Sequence, residues 1–434
     1  MKTVSLHYTT IGDLIRQRRQ EIKLSLRRLS QLSGVDKAGL SRIENGGTKR
    51  PEFRTLQALA AILHIPHEEL IHHYVQVEDR PDVLHELMLE AIQASDPTSM
   101  IKLATGLLQS PREDSYDLVA QLYQTATSVT DVQLQLMLYQ IITDYSRSHG
   151  IQQYFTRGLL QRYYIEKNDP CKYESAYKLG QEVVYYAEFL CPQDRVELHY
   201  ILGVQAYNMM LYEDAIQLCT YVLEQHRISP SMNMYARLTI CGAYYELGLY
   251  AEGQHLLSMS NRPHTTAASE VTNITAALIN GKLGHIEDAI EQLYTCLDDC
   301  LQQGSHASLL YIITGLMELL LANNDTSTAL QLLAYEDIIL NLPMNTPLQQ
   351  SKRAYYFRLK GDLFCRIEQY DAAFDHFFIS ALEYAKIHLF SKAFQTLGLI
   401  TKVLLKVELV YSKAIVRKID LMYDMLCCHM NGRS

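Results

Sequence analysis

Residues 25–51 read SLRRLSQLSGVDKAGLSRIENGGTKRP. Ser25 can N-cap a short helix whose apolar positions are Leu26, Leu29 and Leu32. Gly34-Val35 makes a tight turn. Asp36 can N-cap a second helix running to about Asn45, with Leu40 and Ile43 turned inward, and Gly46-Gly47 stops it. Two short helices joined by a glycine-containing turn form a helix-turn-helix, whose second helix is built to enter a DNA major groove. Lys37, Ser41 and Arg42 lie on the side away from Leu40 and Ile43, which predicts contact with double-stranded DNA.

The flanking sequence extends this pair into a five-helix head over residues 1–75. Ile11 to Lys23 reads as the first helix, with Ile11, Leu14, Ile15 and Ile22 as its stripe. Pro51, at a first helical position, opens a helix through Leu63 with Phe53, Leu56, Leu59, Ala60 and Leu63 inward. His64-Ile65-Pro66 breaks it, and Glu68 to Tyr74 is a last short helix. Residues 76–82 are polar and reach Pro81, as a linker would.

Charge divides in the same place. Residues 1–70 hold 12 Lys+Arg against 7 Asp+Glu, and the remainder 27 against 41. A basic head on an acidic body fits a DNA reader joined to something that is not one. At 434 residues the chain exceeds one ordinary domain. With 48 % hydrophobic and 20 % charged residues it is globular. No run is long and apolar enough to span a membrane, and the start lacks a signal core, so a cytoplasmic protein is expected. Nine cysteines include no CxxC pair. Cys296 and Cys300 share a helix face without a second ligand pair at zinc spacing, and Cys427-Cys428 sits in an apolar helix. Reduced, buried core cysteines are the expectation, with no metal and no cofactor.

Residues 83–434 show only helical periodicity, carried by an internal repeat. Tyr212-Glu-Asp-Ala-Ile216 recurs in altered form at 173–177, 250–254, 286–290, 326–330 and 370–374. The small residue falls at 176, 215, 253, 289, 329 and 373, in steps of 39, 38, 36, 40 and 44. Gly203 and Gly361 each precede it by 12. This is a helix-pair repeat slightly longer than the roughly 34 residues of a tetratricopeptide unit, and such units stack into a superhelix with a concave face. The apolar tail after Phe390 is expected to cap the stack.

The head resembles the Xre/Cro-type, lambda-repressor-like domain through Leu29-Ser30, Gly34-Val35, Leu40-Ser41-Arg42-Ile43-Glu44-Asn45-Gly46, Leu56, Leu59-Ala60 and Leu63. Joined to tetratricopeptide-like repeats, it resembles the peptide-pheromone receptors of Gram-positive bacteria, the Rap/Rgg/NprR/PlcR/PrgX group. The resemblance implies an all-α chain, with a right-handed repeat superhelix that takes a short signalling peptide and dimerises. It places base reading at Lys37, Ala38, Ser41 and Arg42, with Arg42 equally able to meet phosphate. Many such heads begin the second helix with a phosphate-clamping Gln. Here Leu26 stands there, which passes that contact to Arg27 and Arg28. Asn45, Thr48, Lys49 and Arg50 form the loop that positions the backbone, and Glu44 is expected to pair with an arginine of the helix pair.

For the concave face, counting from each small residue selects Tyr200, Val204, Tyr207 and Asn208, then Tyr235, Tyr245 and Glu246, then Tyr355, Arg358, Asp362 and Arg366. Asn can hydrogen-bond an extended peptide backbone, and Arg can hold its C-terminal carboxylate. Each Tyr has a competing use in packing between repeats. No motif for catalysis is present: there is no phosphate-cradling Gly loop, GxSxG, HExxH or paired-carboxylate motif. The chain therefore reads as a peptide-controlled transcriptional regulator and not an enzyme. Two alternatives stand beside it. One is a repeat scaffold for a response regulator or other protein, with DNA binding secondary. The other is a plain repressor whose repeats only dimerise.

Overall fold

Side chains cap the first three helices of the head, Ser25 and Asp36 among them as read from the sequence. Thr10 opens α1 (Ile11–Glu21), Ser25 opens α2 (Leu26–Ser33) and Asp36 opens α3 (Lys37–Glu44), each accepting a backbone N–H two or three residues into its helix. Gly34 closes α2 at φ 72°, in the left-handed region. Two further helices, α4 (Phe53–Leu63) and α5 (His67–Tyr74), complete the head. Pro51 does not occupy a first helical position. Glu52 is the N-cap of α4 and is extended, so the proline stands one residue outside the helix, with its ring buried. Ile22 and Leu32 also leave the predicted stripes, at 40 % and 48 % exposed, because each lies at the end of its helix beyond the reach of the core.

The computed structural model describes residues 10–259, 266–304, 306–407 and 413–430, and all regular elements among them are helices. Two constraints hold α1 against α3. Gly12 lies so close to the other helix that a Cβ there would collide with the Ile43 carbonyl oxygen. Arg19 then grips Glu44 with both arms, Nε to Oε1 at 2.6 Å and Nη2 to Oε2 at 2.7 Å, while Nη1 donates to the Leu24 carbonyl at 2.9 Å. The partner of Glu44 is thus on α1 and not on the helix pair. The recognition helix reaches its place through the first helix.

The chain forms two compact units, Met1–Cys191 and Pro192–Ser434. In the first, the head is followed by α6 (Pro81–Gln93), α7 (Pro97–Leu108), α8 (Ser115–Ser128), α9 (Val132–His149), α10 (Gln152–Glu166) and α11 (Tyr173–Tyr185). A single hydrophobic cluster runs from Ile11 to Tyr154, through Leu70 and Tyr74 of α5 into Met88, Met100 and Leu103. The passage from α5 to α6 is short and tied down. Buried Glu78 accepts from the Tyr74 hydroxyl at 3.0 Å, from Arg80 Nε and Nη2 at 2.9 and 2.7 Å, and from the Asp79 and Arg80 backbone N–H groups.

The second unit carries the repeats as α12 (Pro192–Asn208), α13 (Tyr212–Leu223), α14 (Pro230–Leu247), α15 (Tyr250–Ser258), α16 (Thr266–Lys282), α17 (Ile286–Gln303), α18 (Leu309–Ala322), α19 (Thr326–Gln331), α20 (Glu336–Leu340), α21 (Pro347–Arg366) and α22 (Tyr370–Lys386). A last pair, α23 (Phe390–Val407) and α24 (Lys413–Met430), packs on α22. Residues 408–412 of the predicted capping tail lie outside the described residues. Every predicted small residue, 176, 215, 253, 289, 329 and 373, is the fourth residue of its helix and is buried. Gly203 faces α13 so closely that a Cβ would sit 2.7 Å from Cys219 Sγ, and one on Gly361 would sit 2.6 Å from the Phe377 ring. α12 also packs against α21, four helix pairs later in the chain. No helix among the described residues is long and apolar enough to cross a membrane.

The cysteines divide. Cys219, Cys241, Cys296 and Cys300 are buried as expected, but Cys171, Cys191 and Cys427 are exposed. Cys171 sits in a short 3-10 helix (Pro170–Lys172) ahead of α11, Cys191 directly precedes α12, and Cys427 is on the outer side of α24. The Cys428 side chain lies outside the described residues.

Two measurements check this packing. Gly12→Ala should lower stability by about 1–3 kcal/mol, the usual cost of overpacking against backbone, read as a lower thermal midpoint. Burial alone would raise the Glu78 pKa, but its hydrogen bonds from Arg80 and Tyr74 win and bring it down from 4.5 to about 2. A carboxylate depressed in this way stabilises the fold above its ordinary pKa and loses that contribution as pH falls toward about 2. Melting temperature should therefore fall less steeply over this interval in Glu78→Gln than in the unsubstituted chain.

Candidate DNA interface and ligand groove

On α3, Lys37, Ala38 and Arg42 are exposed, and Ser41 is half-buried with its hydroxyl accepting from Asn45 Nδ2 at 3.3 Å. Leu40 and Ile43 are buried beneath them, so the helix has one inward and one outward face. Gly39 lies directly under the Asp36 cap. A Cβ there would lie 2.7 Å from Asp36 Oδ2, the carboxylate whose other oxygen accepts the Gly39 N–H at 2.8 Å. Arg27 and Arg28 are exposed in the first turn of α2. Past α3 the chain folds back, with the Gly47 and Thr48 N–H groups both donating to the Arg42 carbonyl, at 2.7 and 3.2 Å. That fold presents Asn45, Lys49 and Arg50 to solvent. Arg50 is held as well, with Nη2 2.5 Å from Asp79 Oδ2.

In the second unit, the ends of α12 and α14, the middle of α16 and the starts of α18 and α21 border a cavity of about 240 Å3. Tyr207, Asn208, Tyr245 and Glu246 line it with Val271, Ile274, Leu278, Tyr311, Leu348 and Lys352. A neighbouring cavity of about 210 Å3 shares Tyr245, Glu246 and Lys352 and adds Lys282, Glu318, Tyr355, Arg358, Tyr384 and Lys392. Lys352 Nζ pairs with Glu246 at 2.6 Å, both largely buried, and joins α21 to α14. Lys282 pairs with Glu318 at 2.5 Å. That leaves Arg358 and Lys392 without an ion pair among the described residues, and Arg358 Nε is buried with no hydrogen-bond partner. Burial lowers the Lys392 pKa, Glu246 opposes this, and Lys352 and Arg358 add to it. The second cavity is therefore electropositive. Burial, and then Glu246, push the Tyr311 hydroxyl up to about 12, so it is a neutral donor at physiological pH.

Of the residues selected from the repeat, Tyr207, Asn208, Tyr245, Glu246, Tyr355 and Arg358 come together around these cavities. Tyr200 packs against the Cys219–Ile240 core, the competing use of an aromatic. Tyr235, Asp362 and Arg366 line neither cavity, and Arg366 donates to Asn324 at 2.7 Å. Lys352 and Lys392 were not foreseen. Lys352 was within reach, since 352, 355 and 358 form one helical stripe. Lys392 belongs to the terminal pair, which carries no copy of the repeat phrase.

A helix-turn-helix family profile matches residues 15–70. Over 70 residues, 16 % of this chain, the head is 40 % identical to the HTH-type transcriptional repressor RghR of Bacillus subtilis. The chain spans about half the length of the curated relatives it matches. Among solved structures, a Rap protein complexed with competence and sporulation factor aligns at TM-score 0.45 and 10 % identity, over 81 % of this chain and all of that one. Bacillus thuringiensis PlcR, solved with a peptide and DNA, aligns at TM-score 0.29 and 16 % identity, over 77 % of this chain and all of that one. Residues 15–70 of this chain thus match the helix-turn-helix family, at the head of a repeat body whose described regular elements are all helices.

Proposed function

We propose that the chain is a sequence-specific transcriptional regulator whose head reads double-stranded DNA and whose repeat body is controlled by a short signalling peptide. The DNA half rests on the helix-turn-helix match and on the outward row of α3. Lys37 and Arg42 can donate to guanine O6 and N7, and Ala38 can meet a thymine methyl. Ser41 is placed to join them, while Arg27, Arg28, Asn45, Thr48, Lys49 and Arg50 position the phosphate backbone. Residues 1–75 and 83–434 divide these roles. A homodimer would set two heads in major-groove turns about 34–36 Å apart.

The peptide half is carried by one observation, two adjoining cavities of opposed character that share Tyr245, Glu246 and Lys352. A short peptide with an apolar side chain beside a free carboxylate matches both. The side chain enters among Ile274, Leu278 and Leu348, and the carboxylate meets Arg358. Asn208 can both donate to and accept from the peptide backbone. The peptide can shift DNA binding only by its differential affinity for the states involved.

Repeated selection of purified protein against random-sequence duplex DNA should enrich a two-fold motif that disappears in Lys37→Ala/Arg42→Ala. No enrichment with or without peptide removes the DNA-reading half. For the groove, calorimetric titration with short synthetic peptides should find ligands that lose on the order of tenfold or more in affinity in Arg358→Met. Amidating the peptide C-terminus should cost as much in the unsubstituted chain and almost nothing further in the variant. If no short peptide stabilises the chain or alters DNA binding, the control is not by peptide.

A further inference from the structure

The contact made by Arg50 in the head is shared by an arginine of the body. Asp79 accepts from Arg50 Nη2 at 2.5 Å through one carboxylate oxygen and from Arg112 Nε at 2.7 Å through the other. Arg112 lies in the turn between α7 and α8, more than thirty residues past the head. Asp79 cannot drift. Its N–H donates to Glu78 Oε1 at 3.1 Å, and its carbonyl accepts from Ser110 Oγ at 2.6 Å. The Arg112 N–H in turn donates to that same Ser110 oxygen at 3.3 Å. The bracket is therefore built from both sides of the passage out of the head.

Its polarity is directional. The Arg50 and Arg112 side chains are each 40 % exposed, while Asp79 is the more covered partner at 31 % and the neighbouring Glu78 side chain is fully buried. Two guanidiniums share one carboxylate, which leaves an excess positive charge. Each arginine spends only part of its five-donor fork on Asp79, so the remaining N–H groups are available to an anion. Of the acidic residues that follow Arg112, Asp114 is turned to cap α8. The bracket continues from Lys49 and Arg50, in the loop directly after α3.

We propose that Arg50 and Arg112, held side by side on Asp79, form one phosphate-binding fork, so that the body itself touches the DNA backbone beside the recognition helix. The inference rests on the DNA-reading half of the function above and extends the interface past the head. Asp79 acts as a positioning residue that sets the spacing of the two guanidiniums without having to release either.

The test is the salt dependence of binding by the full chain to a fluorescent mixed-sequence duplex, titrated from about 50 to about 200 mM salt. Each phosphate contact contributes about 0.9 to the slope of log K against log salt. Arg112→Ala should flatten the slope by close to that amount, Arg50→Ala likewise, and Arg112→Lys should keep most of it. Lys178→Ala removes the same charge from the exposed side of α11 and should leave the slope unchanged. Melting curves identify any variant that has lost its fold; if Arg112→Ala is one, Arg112→Gln, which keeps a polar side chain without the charge, carries the same comparison with the same expected flattening. If Arg112→Ala keeps the slope of the unsubstituted chain, the fork is wrong while DNA reading stands. If the unsubstituted chain fails to bind duplex at the lowest salt, the DNA-reading half fails instead.

Discussion

Contacts between helices that leave no room for a Cβ are the constraint on which both halves of this chain depend. Gly12 sets the contact of α1 with α3 and so the height of the recognition helix above its core. Gly203 and Gly361 instead make room for a side chain of the second helix of their repeats, the Cys219 thiol and the Phe377 ring. The small residue at the fourth position of each second helix repeats the device along the body. Close approach brings the terminal residues of α12 and α14 and the first turns of α21 around a common space, and the groove is what remains there. The functional surfaces follow from where bulk is forbidden as much as from where polar groups are placed.

Charge then sorts itself against this frame. Two carboxylates in and just past the head are buried on their partners, Glu44 onto Arg19 and Glu78 onto Arg80 and Tyr74, while Lys37 and Arg42 of α3 stay exposed. In the groove, cations outnumber the carboxylates that pair them, inside a body that is acidic as a whole. Both arrangements favour an anionic partner. They differ in dielectric: an exposed cation on α3 is screened by salt, and Arg358 is largely shielded from it.

Much of this was legible in the sequence, because capping residues and glycines act locally. Ser25, Gly34 and Asp36 each fix a helix end with atoms a few residues away, so their reading transfers directly to the structure. The repeat was visible for the same reason: its small residue is required at every copy. What stayed hidden was non-local or chemically unmarked. The turn inside each pair needs a left-handed residue, which is Gly248 and Gly284 in two cases but Met210, Asn324 and Glu368 in the others. Asn324 is a residue that visits this region readily, but the Met210 and Glu368 side chains carry no signal of that geometry and tolerate a backbone that costs them roughly 1–2 kcal/mol. Asp79 lies 29 residues from Arg50 and 33 from Arg112, and no periodicity connects them. Tyr200 and Tyr245 have the same residue type on equivalent helices. Packing around each decided that one joins a core and the other a cavity.

The cluster that runs unbroken from Ile11 to Tyr154 has a consequence for how the chain can be taken apart. A cut after residue 75 would pass through this cluster. The severed head would expose the inner faces of Leu70, Ile71 and Tyr74, and the severed body those of Leu84, Met88 and Met100, all less than 2 % exposed in the intact chain. Each fragment would be sticky in water for reasons unrelated to what it binds. Loss of an activity on truncation there would report a broken core, so the roles of head and body separate cleanly only through point substitutions on their surfaces.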